Sequence, residues 1–163
     1  LFNITVSNYN EIKEKVAHVK ERPSVFIDLM YGNVWYTSGG ESFISRMLSD
    51  AGATYAWHDN GKVESVPLAF EQVLEHAGET EFWLIKYNNP IDLTYSGLAK
   101  EYKPYSYFSA FKNRNIYECN AGKTPYYEDL PIHPDYILQD FAYVFHPDLF
   151  PGYTPRYYHK MKE

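Results

Sequence analysis

Cysteine is nearly absent: the 163-residue chain carries one, Cys119. A lone thiol cannot close an internal disulfide, so stability has to come from packing. No apolar run approaches the roughly 20 residues of a membrane span. Positive charge is scarce, with 15 Lys and Arg against 21 Asp and Glu and a formal net charge of −6. That balance disfavours nucleic acid and anionic membrane as partners, since both reward clustered cations. The six histidines (His18, His58, His76, His133, His146 and His159) never stand three or four residues apart. No helix face therefore carries the local pair that a metal motif needs, and neither a metal nor a cofactor is expected. The N-terminus, Leu1-Phe2-Asn3-Ile4-Thr5, has no initiator Met, basic n-region or signal h-region. It reads as a piece of something longer, with a targeting segment or a whole upstream region cut away.

What is abundant is aromatic surface: 17 Tyr, 10 Phe and 3 Trp. Each buried phenol needs a hydrogen-bond partner, so some of these rings are expected to line a groove or face a partner. The length suits one domain. Residues 7–21 read as a helix with Tyr9, Ile12, Val16 and Val19 on one face, capped by Ser7 or already running through Phe2, and stopped before Pro23. Val25 to Leu29 is an apolar strand, and Val34 to Thr37 a second extended piece after the Tyr31-Gly32-Asn33 turn. Ser42 caps a helix over 43–51, with Phe43, Ile44, Met47 and Leu48 inward and Gly52 just past its end. Further strands are expected over 53–57, 81–86 and 115–118. Further helices are expected over 68–77 (opened by Pro67), 94–102, 108–112 and 134–145. Strands alternating with helices predict an α/β class: three αβα layers around a mostly parallel, twisted sheet. Ligands of such sheets sit beyond the carboxyl ends of the strands. The segments there are 36–42, 86–90 and 120–128, all rich in Gly, Asn or Tyr.

No reaction motif stands out. Gly122-Lys123-Thr124 follows a strand, but Tyr117 occupies the first glycine position of a phosphate loop and Pro125 the helix start. No Gly-rich dinucleotide fingerprint follows the first strand, and no nucleophile elbow exists. Cys119 reads as buried and inert, and His146 as a cation at a helix C-terminus. Trp35 and Tyr36 suit either stacking on a planar ligand or the core and rim of a two-stranded excursion, and Tyr126-Tyr127-Glu128 divides the same way. Lys86, with Tyr87 and Asn88, suits an anion or a solvated loop. Glu41 suits a general base or a first-turn acid. Glu71 by itself reads as a surface acid at a helix N-terminus.

The ordered series Arg22-Pro23-Ser24-Val25-Phe26, Trp35 to Phe43, Asp50-Ala51-Gly52-Ala53, Phe70 to Leu74, Phe82 to Ile85, Phe108 to Tyr117 and His133 to Leu149 resembles a family. It is similar to the C-terminal lobe of periplasmic binding proteins that deliver iron-siderophores, haem or cobalamin to ABC importers, in particular envelope lipoproteins of the Bacteroides type. The resemblance implies two α/β lobes joined by a rigid helix, with ligand clamped between them. Residues 1–23 would be the end of the joining helix and 24–163 the second lobe, the first lobe being absent. It implies a non-enzymatic binding protein, monomeric, in the periplasm or cell envelope, with an ABC permease as partner. Ligand contacts would come from Trp35, Tyr36, Ser38, Gly39, Gly40, Lys86, Tyr87, Asn88, Tyr126 and Tyr127. Glu71, in Phe70-Glu71-Gln72-Val73-Leu74, matches the surface Glu through which this family enters an Arg pocket of the permease; Ala69 stands where Ser is usual.

Two other classes remain open at this level. A stand-alone α/β enzyme on a sugar or nucleotide would bring Glu41 and Lys86 together as an acid–base pair. An interaction module would show a flat apolar patch away from the strand ends.

Overall fold

The computed structural model describes all residues from Leu1 to Glu163. The strands are β1 (Ser24–Ile27), β2 (Trp35–Thr37), β3 (Thr54–Tyr55), β4 (Val66–Leu68), β5 (Phe82–Tyr87), β6 (Ile116–Asn120) and β7 (His159–Lys160). The helices are α1 (Phe2–Val16), α2 (Phe43–Asp50), α3 (Phe70–Ala77), α4 (Tyr95–Glu101), α5 (Ser109–Lys112), α6 (Tyr126–Asp129) and α7 (Pro134–Phe145). The main sheet runs β3-β1-β5-β6-β7 and is parallel except for the antiparallel edge strand β7. β2 and β4 form a separate antiparallel ribbon. This is the expected α/β architecture with a mostly parallel sheet.

Alternation along the strands divides the core in two. Val25 and Ile27 of β1 and Leu84 of β5 point to one face, where α1, α2 and α7 pack. Phe26, Trp83, Ile85 and Ile116 point to the other, under α3, α4 and α5. A sheet covered on both faces carries near-continuous apolar strands, as Val25-Phe26-Ile27 and Trp83-Leu84-Ile85 do. Aromatic rings make up about half of the second face and form its centre. Phe26 stacks on Trp83 at 4.9 Å, and Phe108 lies 4.8 Å from Phe26 and 5.0 Å from Trp83. Each such pair adds about 0.5–1.5 kcal/mol beyond its buried area.

Several expectations need correction. α1 begins at Phe2, the earlier of the two starts, and ends at Val16 rather than at residue 21, so the stretch to Pro23 is open chain. Pro67 does not open a helix: it lies in β4 opposite Tyr36, and α3 starts at Phe70. A two-stranded ribbon leaves one side of each strand unpaired, which is where a residue without an N–H can sit. Phe43 is exposed rather than inward, because it occupies the first turn of α2 at the rim; Ser45, Met47 and Leu48 do the burying. The sequence predicts no helix over 126–129 and no strand over 159–160, where the structure has α6 and β7.

The caps behave as their residues suggest. Ser42 accepts from the Ser45 N–H, and Gly52 takes φ +90° past the end of α2. His146 caps α7, its Nε2 lying 2.9 Å from the Gly52 carbonyl. The tail is tied to α7 by Asp140, which is fully buried. Its Oδ1 accepts from the Tyr153 hydroxyl at 2.5 Å and the Arg156 N–H at 2.9 Å, and its Oδ2 from the N–H groups of Tyr157 and Tyr158 at 2.7 and 2.9 Å.

Candidate functional site

The chain leaves β1 in one direction to form β3 and returns past it to form β5, with α2 and α3 on opposite faces. The switch point therefore falls between the carboxyl ends of β1 and β5, where parallel sheets open a crevice for ligand. Asp28 directly follows the last residue of β1 and Lys86 lies near the end of β5.

Asp28 is one of two non-glycine residues with positive φ, at 68°. Asp tolerates this region better than most residues, yet it is uncommon and tends to mark functional loops. The surroundings hold it there. The Asp28 N–H extends the ladder to the Leu84 carbonyl at 2.8 Å, and the Asp28 carbonyl accepts the Trp83 indole N–H at 2.8 Å. Trp35 donates its indole N–H to the Ile27 carbonyl at 3.2 Å. Both indoles thus pin the end of β1 from below. Burial of the Asp28 carboxyl raises its pKa above the ordinary value, and the nearby Lys86 charge opposes this only in part.

The Lys86 ammonium lies over two rings, 4.8 Å from the centre of Tyr126 and 5.3 Å from that of Tyr127. Neither Lys86 nor Asp28 has an ion-pair partner within contact distance. The phenols of Tyr55, Tyr126 and Tyr158 are pushed up, by burial first and by the charge of Asp28 as well. These groups form one cluster: a desolvated carboxyl, an unpaired ammonium and tyrosines whose protons are held tightly.

The ten residues implied as ligand contacts divide by position. Tyr127 and Tyr36 are 59% and 52% exposed, and Lys86 is half-buried, so all three can meet a ligand. Trp35 is sealed at 0% exposure in the aromatic core and offers no surface; its part is to hold β1. Tyr126 is likewise buried, at 1%, and serves as the floor under Lys86. Tyr87 ties its hydroxyl down, donating to Glu118 and accepting from the Leu93 N–H at 2.8 Å. Asn88 is exposed on the following loop. Ser38 gives its carbonyl to the Tyr55 hydroxyl at 2.7 Å.

Gly39 and Gly40 have a packing explanation. A Cβ on Gly39 would sit 2.3 Å from the Lys62 carbonyl oxygen, and one on Gly40 2.3 Å from that of Trp57. The pair lets two loops touch backbone to backbone.

Sequence reasoning missed Asp28, Tyr158 and Asn120. Asn120 is buried and clasps the two rim loops. It donates to the Asn89 carbonyl at 2.7 Å and to Asp92 at 3.1 Å, and accepts from the Gly122 N–H at 3.1 Å. Lys123 pairs with Asp92 at 3.1 Å, which accounts for the Gly-Lys-Thr run without a phosphate. Cys119 is buried, its thiol pushed up to about 11 by burial.

Glu41 lies exposed on its loop and makes no ion pair or hydrogen bond with Lys86, so the acid–base pair of the enzyme alternative is not assembled. Glu71 is exposed in the first turn of α3, where Gln72 Oε1 accepts from the N–H of the N-cap residue Ala69 at 2.8 Å and no side chain caps the first-turn N–H groups. Away from the strand ends, exposed apolar side chains gather on the first turns of α1: Leu1, Phe2, Ile4 and Val6. No group of three or more His, Cys, Asp or Glu side chains could hold a metal ion, and no helix is long and apolar enough to cross a membrane.

No family model matches the sequence, and no curated protein does. Solved structures do. A TroA-like periplasmic binding protein, FepB from Veillonella parvula, superposes with a TM-score of 0.73 at 16% identity, over 98% of this chain and 55% of that one. Helicobacter pylori CeuE with Ni(II) bound gives 0.64 at 18% identity, over 92% and 46%. The periplasmic haem-binding protein RhuT from Roseiflexus sp. RS-1 gives 0.63 at 18%, over 89% and 54%. The chain spans about half the length of the structures it matches. Its fold is the α/β lobe of TroA-like periplasmic solute-binding proteins.

Proposed function

We propose that this chain is the second lobe of a solute-binding component of an ABC importer, taking a metal chelate against the carboxyl edge of its sheet. The observation that carries the reading is the rim at the switch point: an unpaired ammonium over two tyrosine rings, beside exposed aromatic surface. Aromatic faces and one cation fit the planar rings and negative charge of haem, corrin or catecholate chelates. On this reading residues 1–23 are the end of the joining helix and 24–163 the lobe. The protein binds without catalysis, as a monomer in the periplasm or cell envelope held by a lipid anchor, and Glu71 docks on the permease.

Trp35 and Trp83 are sealed in the core and the half-buried Trp57 packs 4.9 Å from the His76 ring, so indole emission is a poor reporter of the rim. The test is absorbance titration of the intact protein with haem, cobalamin and a ferric siderophore. One of them saturates, and Tyr127→Ala weakens it about tenfold while leaving stability within about 0.5 kcal/mol. Trp35→Phe does the reverse. Silence with all three chelates, or equal affinity of wild type and Tyr127→Ala, overturns the reading.

A further inference from the structure

α1 packs along α7, and between them and the tail lies a cavity of about 260 Å³. It shares no residue with the switch-point cluster. Its polar groups are unusually bare. Asp135 is only 3% exposed, and one carboxylate oxygen, Oδ2, accepts from Asn8 Nδ2 at 3.3 Å. The other, Oδ1, has no hydrogen-bond partner; His133 Nδ1, itself buried without a partner, stands off at 3.7 Å. One helical turn on, Gln139 lines the same cavity and its buried Nε2 has no acceptor. Residues four apart on a helix lie about 5–6 Å from each other, so a bare anionic acceptor and a bare amide donor stand side by side.

A carboxylate this deep without a full set of donors is costly, and native proteins seldom leave such a group empty-handed. The rim supplies the complementary charges. Lys15 and Arg156 line the cavity with no carboxylate partner, and Glu11 lines it with no cation. Arg156 is held in place, its guanidinium 3.6 Å from the ring centre of Tyr136. Ile12 and Phe150 give an apolar wall. The volume falls below the roughly 300–1,000 Å³ of sites for drug-sized ligands, which limits the occupant to a handful of heavy atoms.

We propose that this cavity binds a small aliphatic α-amino acid, its ammonium on Asp135 Oδ1 and its carboxylate at Gln139 Nε2 in the field of Lys15 and Arg156. A cation alone would leave Gln139 unserved, and an anion alone would leave Asp135 bare. The zwitterion answers both, with its side chain against Ile12 and Phe150. Because the walls come from α1 and α7 together, the occupant holds the first helix onto the lobe.

The test is calorimetric and NMR titration of the intact protein with L-alanine and L-leucine. N-acetyl-L-alanine (no ammonium) and L-alaninamide (no carboxylate) are run in parallel. The amino acids bind saturably in the millimolar range or tighter and shift the side-chain amide signals of Asn8 and Gln139. Each analogue binds about tenfold more weakly or worse, as loss of a charged hydrogen bond requires. Asp135→Asn and Gln139→Leu each weaken binding by a similar factor, and Lys86→Ala does not. Gln139→Leu keeps a good helix former at a half-buried position, so the test survives if Asp135→Asn fails to fold. No saturable response, which would mean ordered water only, overturns the proposal. So does equal binding of N-acetyl-L-alanine, or wild-type affinity in folded Gln139→Leu.

Discussion

Replacing Asp140 with Asn tests what holds the tail against the lobe. The carboxylate is fully buried and accepts four hydrogen bonds, two on each oxygen, three from backbone N–H groups and one from the Tyr153 hydroxyl. Asn has the same shape but one oxygen becomes an NH₂ group. With its NH₂ towards Tyr157 and Tyr158 the amide faces two N–H donors; turned the other way it faces the Arg156 N–H, while the Tyr153 hydroxyl has to rotate and accept. Hydrogen bonds to a charged group contribute about 1.5–3 kcal/mol each, and buried donors left unmade cost about 1–3 kcal/mol. Allowing for the two bonds that the Asn oxygen keeps, the loss is about 3–5 kcal/mol. In a domain of this size each kcal/mol moves Tm by about 2–4 °C, so the shift is on the order of 10 °C. The consequence reaches the rim, because the tail delivers Tyr157 and Tyr158 to the back of Tyr126, at centroid distances of 5.9 and 6.2 Å. Circular dichroism melts of wild type, Asp140→Asn and Tyr153→Phe separate the contributions, the last losing a single bond and about 1–2 kcal/mol. A shift below about 2 °C for Asp140→Asn, a fraction of a kcal/mol, would refute the reasoning.

Two further outcomes follow from groups at the carboxyl edge. Burial raises the Asp28 pKa above its unfolded value, so the folded state holds that proton more tightly. The stability this proton supplies is full below the ordinary carboxylate range and is lost as pH rises through the folded pKa. Asp28→Asn, which tolerates the positive φ and carries no charge, therefore raises Tm at pH 7, and the gain shrinks towards zero below about pH 4; a gain independent of pH in paired melts would sink this. Glu71→Arg reverses an exposed charge in the first turn of α3, costing under about 1 kcal/mol of stability and leaving chelate affinity unchanged. Transport in vesicles with the permease falls at least about tenfold if that carboxylate enters an Arg pocket, and equal transport by the two proteins would remove Glu71 from the docking role.

Features written in local chemistry were legible from the sequence. Ser42 and Gly52 bracket α2 because a hydroxyl acceptor and a residue at φ +90° are what the two ends require. Pro134 to Phe145 gave α7 to the residue, since a proline at N1 and an apolar stripe agree. Strands β4 and β7 were not legible, because Pro67 reads as a helix opener and the two exposed residues of β7 are defined only by their pairing with β6 in three dimensions. The two readings of Trp35 and Tyr36 show the limit more sharply. Alternation requires one to point in and the other out, but which one depends on the partner strand β4, seen only in three dimensions. Asp28 lies inside the apolar run from Val25 to Leu29, and nothing in a sequence marks a non-glycine positive φ. Gly39-Gly40 looked like a ligand loop, and the reason for it lies some 20 residues away in the backbone of Trp57 and Lys62.

The same physics separates the two kinds of tyrosine at the rim. Phenols such as Tyr55, Tyr87 and Tyr157 have their pKa values driven up, by burial first and in Tyr87 and Tyr157 also by donating to the carboxylates of Glu118 and Asp129, while the Tyr55 hydroxyl is tied to the Ser38 carbonyl. A group in that state is a poor general acid or base near neutral pH, because proton transfer works best where pKa and pH are close. It is a good strut: two rotatable bonds, a large apolar face and an anchored tip leave little freedom to lose when a ligand arrives. Tyr127 and Tyr36 differ only in standing clear of the surface. Rings braced from behind and bare in front suit a surface that receives a preformed molecule without reshaping it. An ammonium already seated over Tyr126 and Tyr127 need not be brought in from solvent. Preorganisation of this kind favours affinity through a small ordering cost, and it makes Lys86 together with Tyr127 the place where ligand charge is read.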